Sequence, residues 1–179
     1  MTGLYRAMSS DGVSIQGEQV IVLGAGGVGR AVAFMCAAKG AAHVWLLNRT
    51  VEKADEVAKE VNLAEGRSCV EALAMSDYDK LPDEKYLVIQ STSVGLYPHV
   101  EDAVITDPAF YHKVKAGYDL IYRPWETRFM QLVKEQGAPA YNGLKMLLYQ
   151  GIEAFELWNQ CKIEDESAYK LYEMLRTTV

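Results

Sequence analysis

The sequence predicts an α/β protein with a doubly wound, mostly parallel sheet, helices on both faces and further helices at its C-terminal end. Three observations carry that expectation. The apolar run Val20–Leu23 enters glycines spaced as G-x-G-x-x-G, at Gly24, Gly26 and Gly29. Short β-like runs alternate with helical stretches, the pattern of parallel βαβ units. The chain has 179 residues, enough for one domain with a full core. Together these define a Rossmann-type expectation.

Taken in order, the strands are expected at Val20–Leu23, His43–Leu47, Tyr86–Ile89 and Ala116–Tyr122. A weaker strand is expected near Ser68–Val70 and an edge strand at Ala138–Tyr141. Val28–Lys39, rich in Ala, reads as a helix ending at Gly40. Val51–Asn62 places Ala54, Val57, Ala58 and Val61 on one helical face. Thr127–Gln136 reads as a helix closed by Gly137. The core of the domain is expected over about 17–142. Residues about 143–179 then read as two helices, Gly143–Asn159 and Asp165–Leu175, with no strand between. In the first of these, Leu144, Leu147, Gly151, Ala154, Phe155 and Trp158 form an apolar face wide enough to meet another domain or chain.

The formal net charge of −6 argues against a general nucleic-acid or anionic-membrane binder. It leaves room for a local basic pocket for a small phosphate. Cys36, Cys69 and Cys161 are unclustered and imply neither a disulfide framework nor a zinc site, so the cytoplasm is the expected compartment. No apolar run approaches the ~20 residues of a membrane span, and the polar N-terminus does not resemble a signal peptide. The candidate site therefore begins at the glycines.

In a dinucleotide turn each glycine has its own task. Gly24 lets the chain leave the strand, Gly26 admits a pyrophosphate against the backbone, and Gly29 permits close helix–strand packing. Ala25, Gly27 and Val28 complete the loop, whose phosphates would sit at the helix N-terminus. A glycine-rich turn without ligand remains the plainer reading of this motif alone. The second strand bears on which dinucleotide. An NAD site usually ends it with an acid that binds the ribose 2′-OH. Here the strand ends Asn48-Arg49-Thr50, with Lys53 following. If Thr50 caps the next helix, Lys53 opposes the helix dipole by ~0.3–1 kcal/mol. A 2′-phosphate among Arg49, Thr50 and Lys53 would offset that cost, so NADP(H) is the expected cofactor.

Five motifs in order resemble those of the shikimate dehydrogenase family. They are Gly24–Ala31, Asn48–Thr50, Ser91–Leu96, Tyr118–Thr127 and Asn142–Gln150. The family reduces 3-dehydroshikimate to shikimate with NADPH, and its members join an N-terminal substrate domain to a C-terminal NADP domain. This chain resembles the C-terminal part. The resemblance implies Tyr122 and Gln150 as substrate-binding residues. It implies Ser91, Thr92, the Leu120 backbone, Gly143 and Met146 as cofactor neighbours. A packed aromatic at Tyr122, a solvated Gln150 and a core Met146 are the plainer alternatives. The family's catalytic Lys belongs to its other domain, and its catalytic Asp is expected just ahead of Met1. No catalytic residue is therefore expected within the chain, which would be inactive alone, whether an excised domain or a natural short relative. Its C-terminal helices would pack toward the substrate domain.

Two positions depart from the family. Gln90 replaces the usual Asn and is expected to shape a loop near the adenosine; Gly29 stands where relatives often carry Ala or Ser. His43, His99 and His112 share no motif with an acid or Cys and read as structural or solvated. Asp119 reads as a hydrogen-bond acceptor within the fold, Cys36 as a small buried hydrophobe, and Glu164–Glu166 as a helix start. Alternatives are a quinate/shikimate dehydrogenase, a non-catalytic NADP(H)-sensing module and, more distantly, glutamyl-tRNA reductase, against which the Asn142–Gln150 motif speaks. No metal, nucleic-acid or membrane partner is implied, and the apolar face is compatible with a homodimer.

Overall fold

A computed structural model describes residues 2–178, so the terminal positions 1 and 179 of the expected domain lie outside the described residues. The elements run α1 (Thr2–Ser10), β1 (Gln19–Leu23), α2 (Gly27–Ala38), β2 (His43–Asn48), α3 (Val51–Glu65) and β3 (Val70–Ala74). After a 3-10 turn at Met75–Lys80 come β4 (Tyr86–Gln90), α4 (Pro108–Tyr111), β5 (Val114–Asp119), α5 (Arg128–Glu135), β6 (Ala140–Tyr141), α6 (Leu144–Asn159) and α7 (Asp165–Arg176). The sheet order is β3-β2-β1-β4-β5-β6. Every neighbouring pair is parallel, which sharpens the expected mostly parallel sheet.

The central strands are apolar at nearly every position because both faces are covered. In β1, Val20 and Val22 enter the core beneath α2 and α3, which also takes in Leu4 of α1 and Ile152 of α6. Ile21 and Leu23 enter the opposite core with Phe110 of α4 and Phe129 of α5. One strand thus feeds two cores by its period of two. The chain order steps from one sheet edge at β3 back to β4, which pairs with β1. The crevice at the carboxyl ends of β1 and β4 is therefore the place where a doubly wound sheet binds ligands.

Several boundaries differ from expectation for local reasons. Strand β3 begins at Val70 rather than Ser68, because the Asn62 side chain accepts from the Cys69 and Val70 amides at 2.8 and 2.9 Å. Strand β5 ends at Asp119 rather than Tyr122, because the Asp119 carboxylate accepts from the Ile121 amide at 2.9 Å and turns the chain. The edge strand shortens to Ala140–Tyr141; Pro139 has no amide to donate. Helix α1 was not expected at all, although Leu4, Ala7 and Met8 share a helical face and are fully buried.

Helix α1 also decides which face of α6 packs inward. The face that packs inward is Leu144, Tyr149, Ile152 and Glu156. Of the expected apolar stripe, only Leu144 is buried; Leu147, Phe155 and Trp158 are exposed. Glu156 can enter the packed side because Arg6 and Lys162 donate to it at 3.0 and 3.1 Å and the Ile163 amide at 3.0 Å. These donors hold its carboxyl well below the usual range, at about 2. The two helices approach so closely that a Cβ on Gly3 would lie 2.8 Å from the Gln150 amide nitrogen.

Candidate functional site

The glycine turn joins β1 to α2 as its spacing predicts. Gly24 takes φ +102°, a conformation open chiefly to glycine. A Cβ on Gly29 would lie 1.9 Å from the Gly24 carbonyl oxygen, so the helix is pressed against the strand end. Gly26 and Gly27 differ. A Cβ at either would meet no protein atom within 4 Å. Their lack of side chains therefore keeps a space clear in front of α2, whose N-terminal residue Gly26 offers no side-chain cap. Free helix-end amides facing open space suit a phosphate.

Beside this turn stands the end of β2. Asn48 accepts from the Ala25 amide at 3.1 Å and donates to the Thr50 carbonyl at 2.8 Å. It braces the loop with both ends of its carboxamide. Thr50 occupies the N-terminal flanking position of α3, yet its hydroxyl makes no capping bond. Lys53 follows in the first turn of α3. Arg49, Thr50 and Lys53 are all exposed. Neither cation has an ion-pair partner among the described residues, whereas Arg30 nearby is paired with Glu60 at 2.7 Å.

On the other side of β1, a cleft of about 1050 Å³ opens at the ends of β4 and β5. Val28, Ser91, Thr92, Leu120, Tyr122 and Met146 line it, so six of the expected residues meet there. Ser91 and Thr92 act largely inward. The Ser91 hydroxyl donates to the Leu23 carbonyl at 2.8 Å, and Thr92 Oγ1 accepts from the Val94 amide at 3.1 Å. A Cβ on Gly143 would lie 2.1 Å from the Leu120 carbonyl oxygen, and its amide donates to the Ile121 carbonyl at 2.9 Å. That contact seats the first turn of α6 on the end of β5 and aims Met146 at the cleft. Gln150 lies outside the cleft lining, one helical turn beyond Met146 and beside α1. Tyr122 is 38% exposed, so its ring is not simply a core aromatic.

Two buried polar residues tie the cleft walls together. Gln90, at the end of β4, accepts from the Thr92 amide at 2.5 Å and donates to the Val94 carbonyl at 3.2 Å. It also reaches Asp119 at 3.4 Å. It therefore shapes the loop after β4, on the β4–β5 side of the glycine turn. Asp119 accepts the Thr127 hydroxyl at 2.6 Å, and Thr127 accepts the Met130 amide at 3.3 Å to cap α5. Burial pushes the Asp119 carboxyl up to about 6. Asp119 thus serves as the expected internal acceptor. The Gln90–Asp119–Thr127 connection was not legible as a unit, because its members lie far apart in sequence. Elsewhere, burial pushes Cys36 up to about 12, as for an inert core thiol, and lowers His43.

The sheet order and the glycine turn at the β1–β4 crevice define a Rossmann-type domain. The family model described as shikimate / quinate 5-dehydrogenase matches residues 7–106, and that of the shikimate 5′-dehydrogenase C-terminal domain matches residues 143–169. The chain belongs to the shikimate/quinate dehydrogenase family. It is 35% identical over 156 residues to the shikimate dehydrogenase (NADP(+)) of Methanosarcina barkeri, covering 87% of this chain and 55% of that protein. It thus spans about half the length of such relatives. A chorismate mutase/shikimate 5-dehydrogenase fusion protein from Clostridium acetobutylicum superposes with a TM-score of 0.86 at 28% identity, over 99% of this chain and 61% of the other. Shikimate 5-dehydrogenase from Listeria monocytogenes, in complex with shikimate and NAD, gives 0.83 at 25% identity, over 95% and 61%.

Proposed function

We propose that the chain is the NADP(H)-binding part of a shikimate dehydrogenase, which reduces 3-dehydroshikimate to shikimate in aromatic amino acid biosynthesis. The observation that carries this reading is the pairing of an open glycine turn with the uncommitted cations Arg49 and Lys53. Backbone amides at Gly26–Gly29 would hold the pyrophosphate, and Arg49, Thr50 and Lys53 the 2′-phosphate. NADPH supplies the hydride when bound. Leu120, Gly143 and Met146 would border its nicotinamide, and Tyr122 and Gln150 would hydrogen-bond a polyhydroxylated substrate. The C-terminal helices face the substrate-binding part of the enzyme in this reading. The three free cysteines accord with a cytoplasmic enzyme, and the outward stripe of α6 offers a surface for weak homodimerisation.

Calorimetry tests the cofactor. NADP+ is expected to bind more tightly than NAD+, and Arg49→Ala to weaken NADP+ binding at least tenfold while leaving NAD+ nearly unchanged, since a charge-assisted hydrogen bond contributes ~1.5–3 kcal/mol. Equal affinities for the two cofactors would overturn the reading. The chain alone is proposed to lack turnover, because its cleft gathers hydroxyl and apolar groups but no carboxylate or lysine for proton transfer. A general acid or base contributes about 10²–10⁴-fold. Steady oxidation of shikimate by the purified 179-residue protein would refute that part.

A further inference from the structure

Helix α6 begins with a charge that its own dipole disfavours. Lys145 is the second residue of α6, where a cation meets the partial positive charge of the helix N-terminus. The compensation comes from a distant part of the chain. Asp11, in the turn after α1, forms an ion pair with Lys145 and also accepts the Tyr118 hydroxyl at 3.2 Å. Little water reaches this pair. The side chains of Asp11 and Lys145 are 11% and 22% exposed, against 79% and 70% for the surface pair Glu166 and Lys170. Tyr118 is fully buried, and Tyr172 of α7 covers the Lys145 ammonium, 5.2 Å from its ring centroid.

Asp11 thus joins the end of α1 to two elements that wall the cleft. Tyr118 lies on β5 two residues before Leu120, and Lys145 immediately precedes Met146. In the NADP(H) reading, Leu120, Gly143 and Met146 border the nicotinamide. Asp11, Lys145 and Tyr118 themselves do not line the cleft, so any influence on a ligand passes through the position of the backbone they hold. A charge-assisted contact with little water around it is strong and directional, and removing one partner leaves the other charge uncompensated. We propose that Asp11 is a positioning residue. Through Lys145 and Tyr118 it fixes the first turn of α6 against the end of β5, and so sets how firmly the cleft grips the nicotinamide half of the cofactor. This inference rests on the NADP(H) reading and extends it to residues that touch no ligand.

The test compares, by calorimetry on the whole chain, NADP+ with 2′,5′-ADP, which keeps the adenosine and its 2′-phosphate but lacks the nicotinamide half. The parent is expected to bind NADP+ more tightly. Asp11→Asn and Lys145→Met should each weaken NADP+ about fivefold and leave 2′,5′-ADP unchanged, and the double variant should lose less than the product of the two, as for members of one network. Lys145→Arg keeps the charge and should retain most of the NADP+ affinity. Equal losses for both ligands would make the pair a general support of the fold and overturn the proposal. So would full NADP+ affinity in Asp11→Asn, losses that multiply in the double variant, a Lys145→Arg loss as large as that of Lys145→Met, or a parent that binds the two ligands equally. Failure of the parent to bind either ligand would instead remove the NADP(H) reading on which the inference stands. Urea unfolding checks that each variant is folded, and should Asp11→Asn not fold, the Lys145 variants decide.

Discussion

Strands β1 and β4 bury both faces, while α6 in the same chain turns Leu147, Phe155, Leu157 and Trp158 outward. The layer of α1 and α6 adds to its apolar contacts a charged one, Glu156 with Arg6 and Lys162, whereas β1 and the body of β4 are buried through apolar side chains. The difference has a physical basis. A parallel strand reaches its partners only inside the domain, so each side chain must pack there. A peripheral helix needs one covered stripe, and its other side is left to solvent or to whatever docks on it. Tolerance to substitution should therefore differ sharply between the two regions.

The largest effect is expected at Gly29. With a Cβ placed 1.9 Å from a backbone oxygen, Gly29→Ala must push α2 off β1. Overpacking of this kind costs about 1–3 kcal/mol, and urea unfolding should record it, because relatives with Ala or Ser at this position need α2 to sit farther from β1 than it does here. A variant as stable as the parent would show that the turn is looser than its geometry.

Acid separates the regions by sign. The Glu156 carboxyl is lowered to about 2 from 4.5. Its stabilisation is complete above about pH 4.5 and is lost as pH falls toward 2. Asp119 is raised from 3.8 to about 6, so the folded state holds a proton that the unfolded state has released. Its contribution to stability therefore declines as pH rises from about 4 to 6. Unfolding midpoints followed across pH should lose the acid-side slope in Glu156→Gln and the pH 4–6 slope in Asp119→Asn. Parallel curves for both variants would dissolve the contrast.

Smaller effects belong to the outer side of α6. A Cβ on Gly151 meets nothing within 4 Å, and glycine inside a helix costs about 0.5–1 kcal/mol relative to alanine. Gly151→Ala should raise stability by that amount in thermal unfolding, the opposite sign to Gly29→Ala. Trp158, 80% exposed, should matter least to folding. Trp158→Ser is expected to change stability by less than about 0.5 kcal/mol. In sedimentation it should reduce any self-association of the chain at high concentration, and an unaltered profile would remove α6 as the contact.

What the sequence disclosed follows the same division. The glycine turn, the end of β2 and the central strands were readable because local spacing dictates them: period two for β1, and fixed offsets for Gly24, Gly26 and Gly29. The inward face of α6 was not legible because its members include Glu156. An acid counts against burial until its partners Arg6 and Lys162, 150 and 6 residues away, are known. Helix α1 escaped notice for a related reason: it is short, and its four buried residues include Gly3, a poor helix former with a close neighbour only in α6.

The Gln90–Asp119–Thr127 connection has a consequence for binding. It fastens the loop after β4, the turn after β5 and the start of α5 to one another beneath the cleft. Those segments give up their conformational freedom when the chain folds, not when a ligand arrives. Affinity is then relieved of ordering them. The cleft thus behaves as a preorganised mould, and loosening it from below, with Thr127→Val for example, should slow ligand capture without altering any residue that lines the cleft.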